Sequence, residues 1–141
     1  MTPIGTCRVY RPDPTSIGVD ERWGGAGVNT SRAGGCLVLR VDGEIDASNS
    51  GRLADYVERH AGVGRSLVVD TSAVDFFGVP ALASLHRVDR CCQDGGVAWL
   101  LVAGPALRRV MRICGTKDLP RAQSVELALA QLDLARASVL H

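Results

Sequence analysis

The sequence has 141 residues, of which 46% are hydrophobic and 22% charged, and this length predicts a single domain with one buried core. Sixteen basic and fifteen acidic side chains leave a formal net charge of +1. That balance gives no field that would favour nucleic acid or an anionic membrane surface as a partner. No apolar run approaches the ~20 residues needed to span a bilayer, and the N-terminus lacks the apolar core of a signal peptide, so we expect a cytoplasmic protein.

The first 25 residues are rich in proline and glycine and predict a mobile N-terminal extension, with a short strand at 7–10 and a turn at 12–16. A further short strand is predicted at 26–29, where the folded domain begins. Trp23 precedes that strand, and it either caps the core or contacts a partner. We expect the domain to occupy 26–137 and a short tail to occupy 138–141.

Alternating apolar residues at 36–42 predict a strand with at least one face in the core. The chain then bends at 43–46 toward a helix whose candidate N-caps are Ser48, Asn49 and Ser50. One face of this helix is predicted to pack inward through four residues at helical spacing, namely Leu53, Tyr56, Val57 and His60.

The central stretch, residues 66–85, reads SLVVDTSAVDFFGVPALASL. Its apolar, β-rich start predicts a buried strand that ends at Asp70 and Thr71. Residues 72–79 are predicted to connect this strand to a helix, in which Pro80 fixes φ for the first turn. Backbone N–H groups at the start of a helix lack partners, so we expect the working surface of the chain there.

Strands and helices alternate through the second half of the chain. A helix is predicted from Pro80 to about Asp94, followed by a strand at 97–102, a helix at 105–114, a short strand near 121–123 and a last helix capped by Ser124. The alternation predicts an α/β domain, in which a mixed β-sheet is covered by about four α-helices. The second of these helices carries a basic patch that is either solvated or meets an acidic partner: Arg108, Arg109 and Arg112.

Five cysteines, at positions 7, 36, 91, 92 and 114, do not form a disulfide framework, because their number is odd and the expected compartment is reducing. Cys36 begins a strand and Cys114 falls on an apolar helical face, and both are predicted to be buried and inert. Cys91 and Cys92 are adjacent on a helix and point about 100° apart. One of the two is therefore a candidate redox site, with a structural role as the alternative.

Local signatures of catalysis are missing from the sequence. It contains no glycine-rich phosphate loop, no His-Glu-x-x-His and no Gly-x-Ser-x-Gly, and its histidines form no ligand pair with its cysteines. We therefore expect no enzyme, no bound metal and no cofactor. Polar residues gather instead before the helix at Pro80, where Asp75 either braces the turn or contacts a partner.

Three blocks of the sequence resemble the STAS domain, and most closely the anti-sigma factor antagonists. They are VDGEIDASNS at 41–50, DTSAVDFFGVPALASL at 70–85 and GGVAWLLVAGPALRRVMRICG at 95–115, and the resemblance extends over about 34–136. It implies a regulatory protein that binds an anti-sigma factor, itself a serine kinase, and so controls sigma-factor-dependent transcription. The family carries Asp-Ser-Ser-Gly where this chain has Gly-Val-Pro-Ala, so the phosphorylated serine of the family matches Val79.

The same resemblance predicts a partner-binding surface around that turn. Its candidate residues are Asp46, Asp75, Phe77, Gly78, Val79, Pro80 and Leu82. Phe76 and Phe77 either expose one ring as part of this surface or bury both rings in the core. Phosphorylation of the family's serine prevents binding, since a phosphate adds roughly −2 charge at an interface, and Val79 cannot be phosphorylated.

Three consequences of Val79 are open at this point. In the first, the chain is an antagonist that always remains competent to bind its partner. In the second, it is controlled elsewhere, by oxidation of Cys91 or Cys92 or by phosphorylation at Thr71, Ser72 or Ser84. In the third, it has lost antagonist activity and serves as a scaffold in a larger complex. The alternative from another class is a small-molecule or nucleotide-binding module with its pocket at the start of the Pro80 helix. Val79 and Pro80 disfavour that site, because they remove a hydroxyl and an N–H where a phosphate would bind.

Overall fold

One sheet of six strands, in the order β1-β2-β3-β4-β5-β6, runs through the computed structural model, which describes residues 21–60 and 66–139. The first two strands are antiparallel to their neighbours, and the pairs from β3 to β6 are parallel. The strands are β1 (Glu21–Trp23), β2 (Ala26–Ala33), β3 (Cys36–Ile45), β4 (Ser66–Phe77), β5 (Ala98–Val102) and β6 (Arg121–Ala122).

Helices cover both faces of this sheet, which confirms the predicted α/β class. They are α1 (Ser50–His60), α2 (Leu82–Asp94), α3 (Pro105–Cys114) and α4 (Val125–Val139), with a 3₁₀ turn at Val79–Ala81 leading into α2. The first three pack on one face and α4 packs on the other. Each helix in the described part of the chain is too short or too polar to cross a bilayer.

The central strand β4 is buried on both faces because helices lie above and below it. Val69 belongs to the core shared with α1, α2 and α3, whereas Val68 belongs to the smaller core under α4, and both side chains are fully buried. Successive strand residues point to opposite faces. The predicted inner face of α1 is also confirmed, since its four residues are all buried.

Helix α3 begins and ends where the sequence predicted. Pro105 occupies the first turn, and Gly115 at the C-terminus has a φ of 68°, in the left-handed region that glycine adopts without strain. Gly115 donates its N–H to the carbonyl of Arg112, so it satisfies one of the free carbonyl groups of the last turn.

The prediction that β4 ends at Asp70 or Thr71 is wrong, because the strand continues to Phe77. Strand β3 is also longer than predicted, since it extends to Ile45. Its added residues pair with the added residues of β4, and the last pair is Ile45–Phe77. Two register shifts accommodate extra residues on β4, opposite 40–42 and 43–44 of β3. Such bulges break the period-two pattern, and for this reason the polar segment 70–75 did not resemble a strand.

Trp23 caps the core, as the first of its two predicted roles requires. It lies in β1, within the stretch assigned to the extension, and only 2% of its surface is exposed. Its ring meets Tyr56 edge-on at 5.9 Å between centroids. The strand and turn predicted at 7–10 and 12–16, and Cys7, lie outside the described residues, so the domain boundaries stay a prediction.

A buried threonine joins β4, β5 and the start of α3. The Thr71 hydroxyl donates to the Val102 carbonyl at 2.9 Å and accepts from the Gly104 N–H at 3.2 Å. Gly104 lies so close to β4 that a Cβ atom there would be 2.6 Å from the Cα of Ser72 and from the carbonyl oxygen of Thr71. This junction therefore depends on the hydroxyl group of Thr71 and on the lack of a side chain at Gly104.

We expect Thr71→Val to lower the free energy of unfolding by about 1–3 kcal/mol, because it leaves a buried donor and a buried acceptor without a partner. Urea denaturation followed by circular dichroism measures this loss. Thr116→Val is the matched control, since no side-chain hydrogen bond joins Thr116 to the described residues, and it should change stability by less than about 0.5 kcal/mol. Equal effects of the two substitutions would contradict the role assigned to Thr71.

Candidate partner-binding site

The turn from β4 to α2 is anchored to the end of β3. Gly78 donates its N–H to the carbonyl of Ile45 at 2.8 Å, and Ala81 donates to the carbonyl of Gly78 at 3.0 Å. Pro80 lies in the first 3₁₀ turn, where it needs no donor. These contacts hold the turn in one conformation beside the loop that follows β3.

Exposed apolar side chains mark the outer side of this turn. Phe76 is 51% exposed and Val79 is 52% exposed, and Pro80 beside them is exposed as well. We call Phe76, Val79 and Pro80 the turn patch. Because exposed apolar groups clustered on a fixed surface typically mark an interaction site, the turn patch is the candidate for partner contact.

Three residues of the predicted partner surface are buried instead. Phe77 is 3% exposed and Leu82 is 8% exposed, and Gly78 is also buried, so these residues support the turn from inside. The prediction that one of the two phenylalanine rings is exposed is confirmed. The exposed ring belongs to Phe76, however, and Phe76 was not among the predicted partner-binding residues. Alternation along β4 gave no such signal, because the two register shifts lie between Val69 and Phe77 and place Val74 and Phe77, three residues apart, on the same buried face.

Carboxylates flank the turn patch. Asp75 is exposed, and Glu44 is the register partner of Phe76 on β3. Asp46 lies against the turn, since its Cα is 3.6 Å from the position that a Cβ on Gly78 would occupy. The surface thus combines apolar contact area with negative charge, a combination that favours a partner with a basic surface.

Asp46 is held in place by the loop between β3 and α1. Its carboxylate accepts hydrogen bonds from the Ser48 hydroxyl at 2.5 Å and the Ser48 N–H at 2.8 Å, and these bonds lower the pKa of Asp46. Asn49 accepts from the Asp46 N–H through its side-chain oxygen and donates through its amide nitrogen to the carbonyls of Trp23 and Glu44. The loop is therefore rigid, and Asp46 is ionised at neutral pH.

The hydroxyl groups near the turn differ in their access to solvent. Thr71 and Ser84 are buried, and the Ser84 hydroxyl donates to the carbonyl of Ala81 at 2.7 Å. Ser72 is exposed, and its hydroxyl donates to Asp70. Of the three alternative phosphorylation positions, Ser72 alone is accessible in the folded chain.

Burial disfavours the ionised form of both candidate redox thiols. Cys92 is fully buried, and desolvation raises its pKa to about 12, with the neighbouring Cys91 adding to the shift. Partial burial also raises the pKa of Cys91, and Glu58 adds to this. Thiolates are the reactive species, so these environments argue against a redox role.

The other two described cysteines divide differently from the prediction. Cys36 is buried, as expected, but Cys114 is exposed. It is the last residue of α3, and at that end of the helix the apolar face is exposed to solvent. In the described part of the chain, no group of three His, Cys, Asp or Glu residues lies close enough to hold a metal ion.

Comparison with known proteins places this fold and turn in a family context. A family model described as the STAS domain matches residues 28–132. A crystal structure of an anti-sigma factor antagonist from Mycobacterium paratuberculosis is similar to this chain with a TM-score of 0.62 and 28% identity, over 75% of this chain and 92% of that one.

Two relatives from Mycobacterium tuberculosis match most of this chain. The anti-sigma-F factor antagonist RsfA is 33% identical over 99 residues, which cover 67% of this chain and 77% of that protein. Osmosensory protein A is 32% identical over 126 residues, which cover 84% of this chain and 77% of the relative.

The two phenylalanines of the turn should respond oppositely to truncation. We expect Phe77→Ala to lower the free energy of unfolding by about 3–5 kcal/mol, because it opens a cavity in the core. Phe76→Ala, at an exposed site, should change it by less than about 0.5 kcal/mol. Urea denaturation of both variants measures the difference, and a loss of more than 2 kcal/mol in Phe76→Ala would contradict the assignment of the exposed ring.

Proposed function

Because this chain belongs to the STAS domain family, we propose that it acts as an anti-sigma factor antagonist, binding an anti-sigma factor through the turn patch and its flanking carboxylates. The observation that carries this proposal is the exposure of Phe76 and Val79, each about half accessible on a turn anchored by backbone hydrogen bonds. A relative and a solved structure bear the name of anti-sigma factor antagonists. Binding in this way would control transcription that depends on a sigma factor.

The turn suits a protein partner on physical grounds. A fixed apolar surface loses little conformational entropy on binding, so more of the contact energy appears as affinity. Asp46 and Asp75 supply charge that steers a basic partner and sets its orientation. Phe76 supplies the aromatic side chain that commonly carries much of the energy at an interface.

We further propose that the partner is an anti-sigma factor of the serine-kinase type and that the chain stays competent to bind it. In such antagonists a phosphate on a serine at this turn would oppose docking by charge repulsion and desolvation. Val79 stands at the matching position and has no hydroxyl. Thr71 and Ser84, the nearest buried hydroxyls, are engaged in hydrogen bonds within the fold, which supports the absence of a substitute site there.

We expect Val79→Asp to weaken binding to an anti-sigma kinase at least tenfold, because it places a carboxylate at the centre of the contact, where the family would carry a phosphate. Titration calorimetry with kinases encoded in the same genome measures the affinity. Ile113→Asp is the matched control, because Ile113 is 71% exposed on α3, and it should leave the affinity within twofold. Unchanged binding by Val79→Asp would exclude the turn patch as the interface.

Incubation of the chain with the cognate kinase and ATP should add no phosphate to residues 70–84, since the exposed position at the start of α2 is a valine. Intact-mass spectrometry followed by peptide mapping detects any addition of phosphate. The variant Val79→Ser is the positive control and should accept one phosphate at that position. A phosphate on Ser72 of the unmodified chain would refute permanent competence.

A further inference from the structure

A cleft of about 600 Å³ opens at the carboxyl ends of β5 and β6, away from the turn patch. Its described lining consists of Ala103, Arg108, Arg121, Ala122 and Gln123. Ala103 directly follows β5 and Gln123 directly follows β6. We call this space the arginine cleft. Its volume falls in the range of small-molecule sites, about 300–1,000 Å³.

The chain topology explains why a cleft forms at this position. After β5 the chain enters α3, which packs on the first face of the sheet, and after the adjacent strand β6 it enters α4, which packs on the other face. Two neighbouring parallel strands whose helices leave to opposite faces create a crevice at their carboxyl ends. This is the position at which open α/β sheets bind ligands.

The charge of the arginine cleft is positive. Its described lining contains two arginines and no carboxylate. A neighbouring cleft of about 320 Å³ shares both arginines and adds Arg112 and Lys117. Among the described residues, none of Arg112, Lys117 and Arg121 forms an ion pair, so their charges remain available to a ligand.

A third cleft, of about 330 Å³, shares Ala103, Arg108 and Gln123 with the arginine cleft, and its lining contains two carboxylates. Asp70 is paired with Arg40 at 3.3 Å, so its charge is largely offset. Glu126 is exposed in the first turn of α4. Neither carboxylate belongs to the described lining of the arginine cleft itself, so the charged side chains of that lining are both positive.

Arg108, on α3, is bonded to the segment that follows β5. Its Nη1 donates to the carbonyl of Ala103 at 3.2 Å, which orients the guanidinium and leaves four of its five N–H groups for other acceptors. Guanidinium groups bind phosphate oxygens in a bidentate manner. The Gln123 side chain also lines the cleft and carries an amide donor.

From this geometry we propose that the arginine cleft binds a small phosphate monoester, with the phosphate held by Arg108 and Arg121 and the organic part in the remaining volume. A bare phosphate ion would fill only a small part of about 600 Å³. Ala103 and Ala122 give apolar surface for the organic part. This proposal is independent of anti-sigma binding, since the turn patch contributes no residue to the described lining.

The test is a titration of the ¹⁵N-labelled full chain with adenosine 5′-monophosphate, inorganic phosphate and adenosine at constant ionic strength, followed by NMR. We expect the monophosphate to shift the amides of Ala103, Ala122 and Gln123 and to bind more tightly than either phosphate or adenosine. Arg108→Gln and Arg121→Gln should each weaken it about tenfold or more, as expected for loss of charge-assisted hydrogen bonds.

Arg109→Gln is the matched control, because Arg109 is exposed beside Arg108 on α3 and lines none of the three clefts. It removes the same charge and should change the affinity less than twofold. Equal weakening by Arg109→Gln would show non-specific attraction and overturn the site. The proposal is also overturned if phosphate binds as tightly as the monophosphate, or if the shifted amides lie at the turn patch.

Discussion

The ladder between β3 and β4 determines where the side chains that lead into the turn patch point. It runs from the pair Cys36–Ser66 to the pair Ile45–Phe77, and its two register shifts place extra residues on β4. Bulges of this kind redirect side chains without ending the strand. As a result Val74 and Phe77 enter the core, while Asp75 and Phe76 turn to solvent.

The end of this ladder forms a rigid support for the turn patch. Gly78 is bonded to the carbonyl of Ile45, and Asn49 ties the loop after β3 to both Trp23 and Glu44. A surface held by a backbone hydrogen bond on one side and by side-chain amide hydrogen bonds on the other loses little entropy when a partner docks. Phe77 is buried on the inner side of the same segment, while Phe76 and Val79 are exposed on its outer side.

Sequence periodicity was sufficient for the regular elements and failed where bulges or solvent access decide the outcome. The α/β class, the helix stops at glycine and the inner face of α1 follow from local patterns that tertiary packing leaves unchanged. The extension of β4 did not follow from local patterns. The polar segment around Asp75 is held in the sheet by β3, a neighbouring strand that is distant in the sequence. Exposure of Phe76, Ser72 and Cys114 depends on which neighbours cover them, and a single sequence does not contain that information.

The arginine cleft could not be predicted from sequence for a related reason. Arg108 and Arg121 come from different elements, and only the departure of α3 and α4 to opposite faces brings them to one crevice. The formal net charge of +1 conceals this segregation, with carboxylates around the turn and guanidinium groups at the crevice. Overall charge therefore says little about the partners of a domain whose charges are separated.

The lengths of the parallel strands keep these two surfaces apart. Strand β5 ends at Val102 opposite Asp70, whereas β4 continues to Phe77, and seven residues of strand span roughly 20 Å. The contact of Gly104 with Thr71 and Ser72 lies between them. Because that contact is close-packed and hydrogen-bonded, it fixes the start of α3, and with it Arg108, relative to the strand that leads to the turn patch.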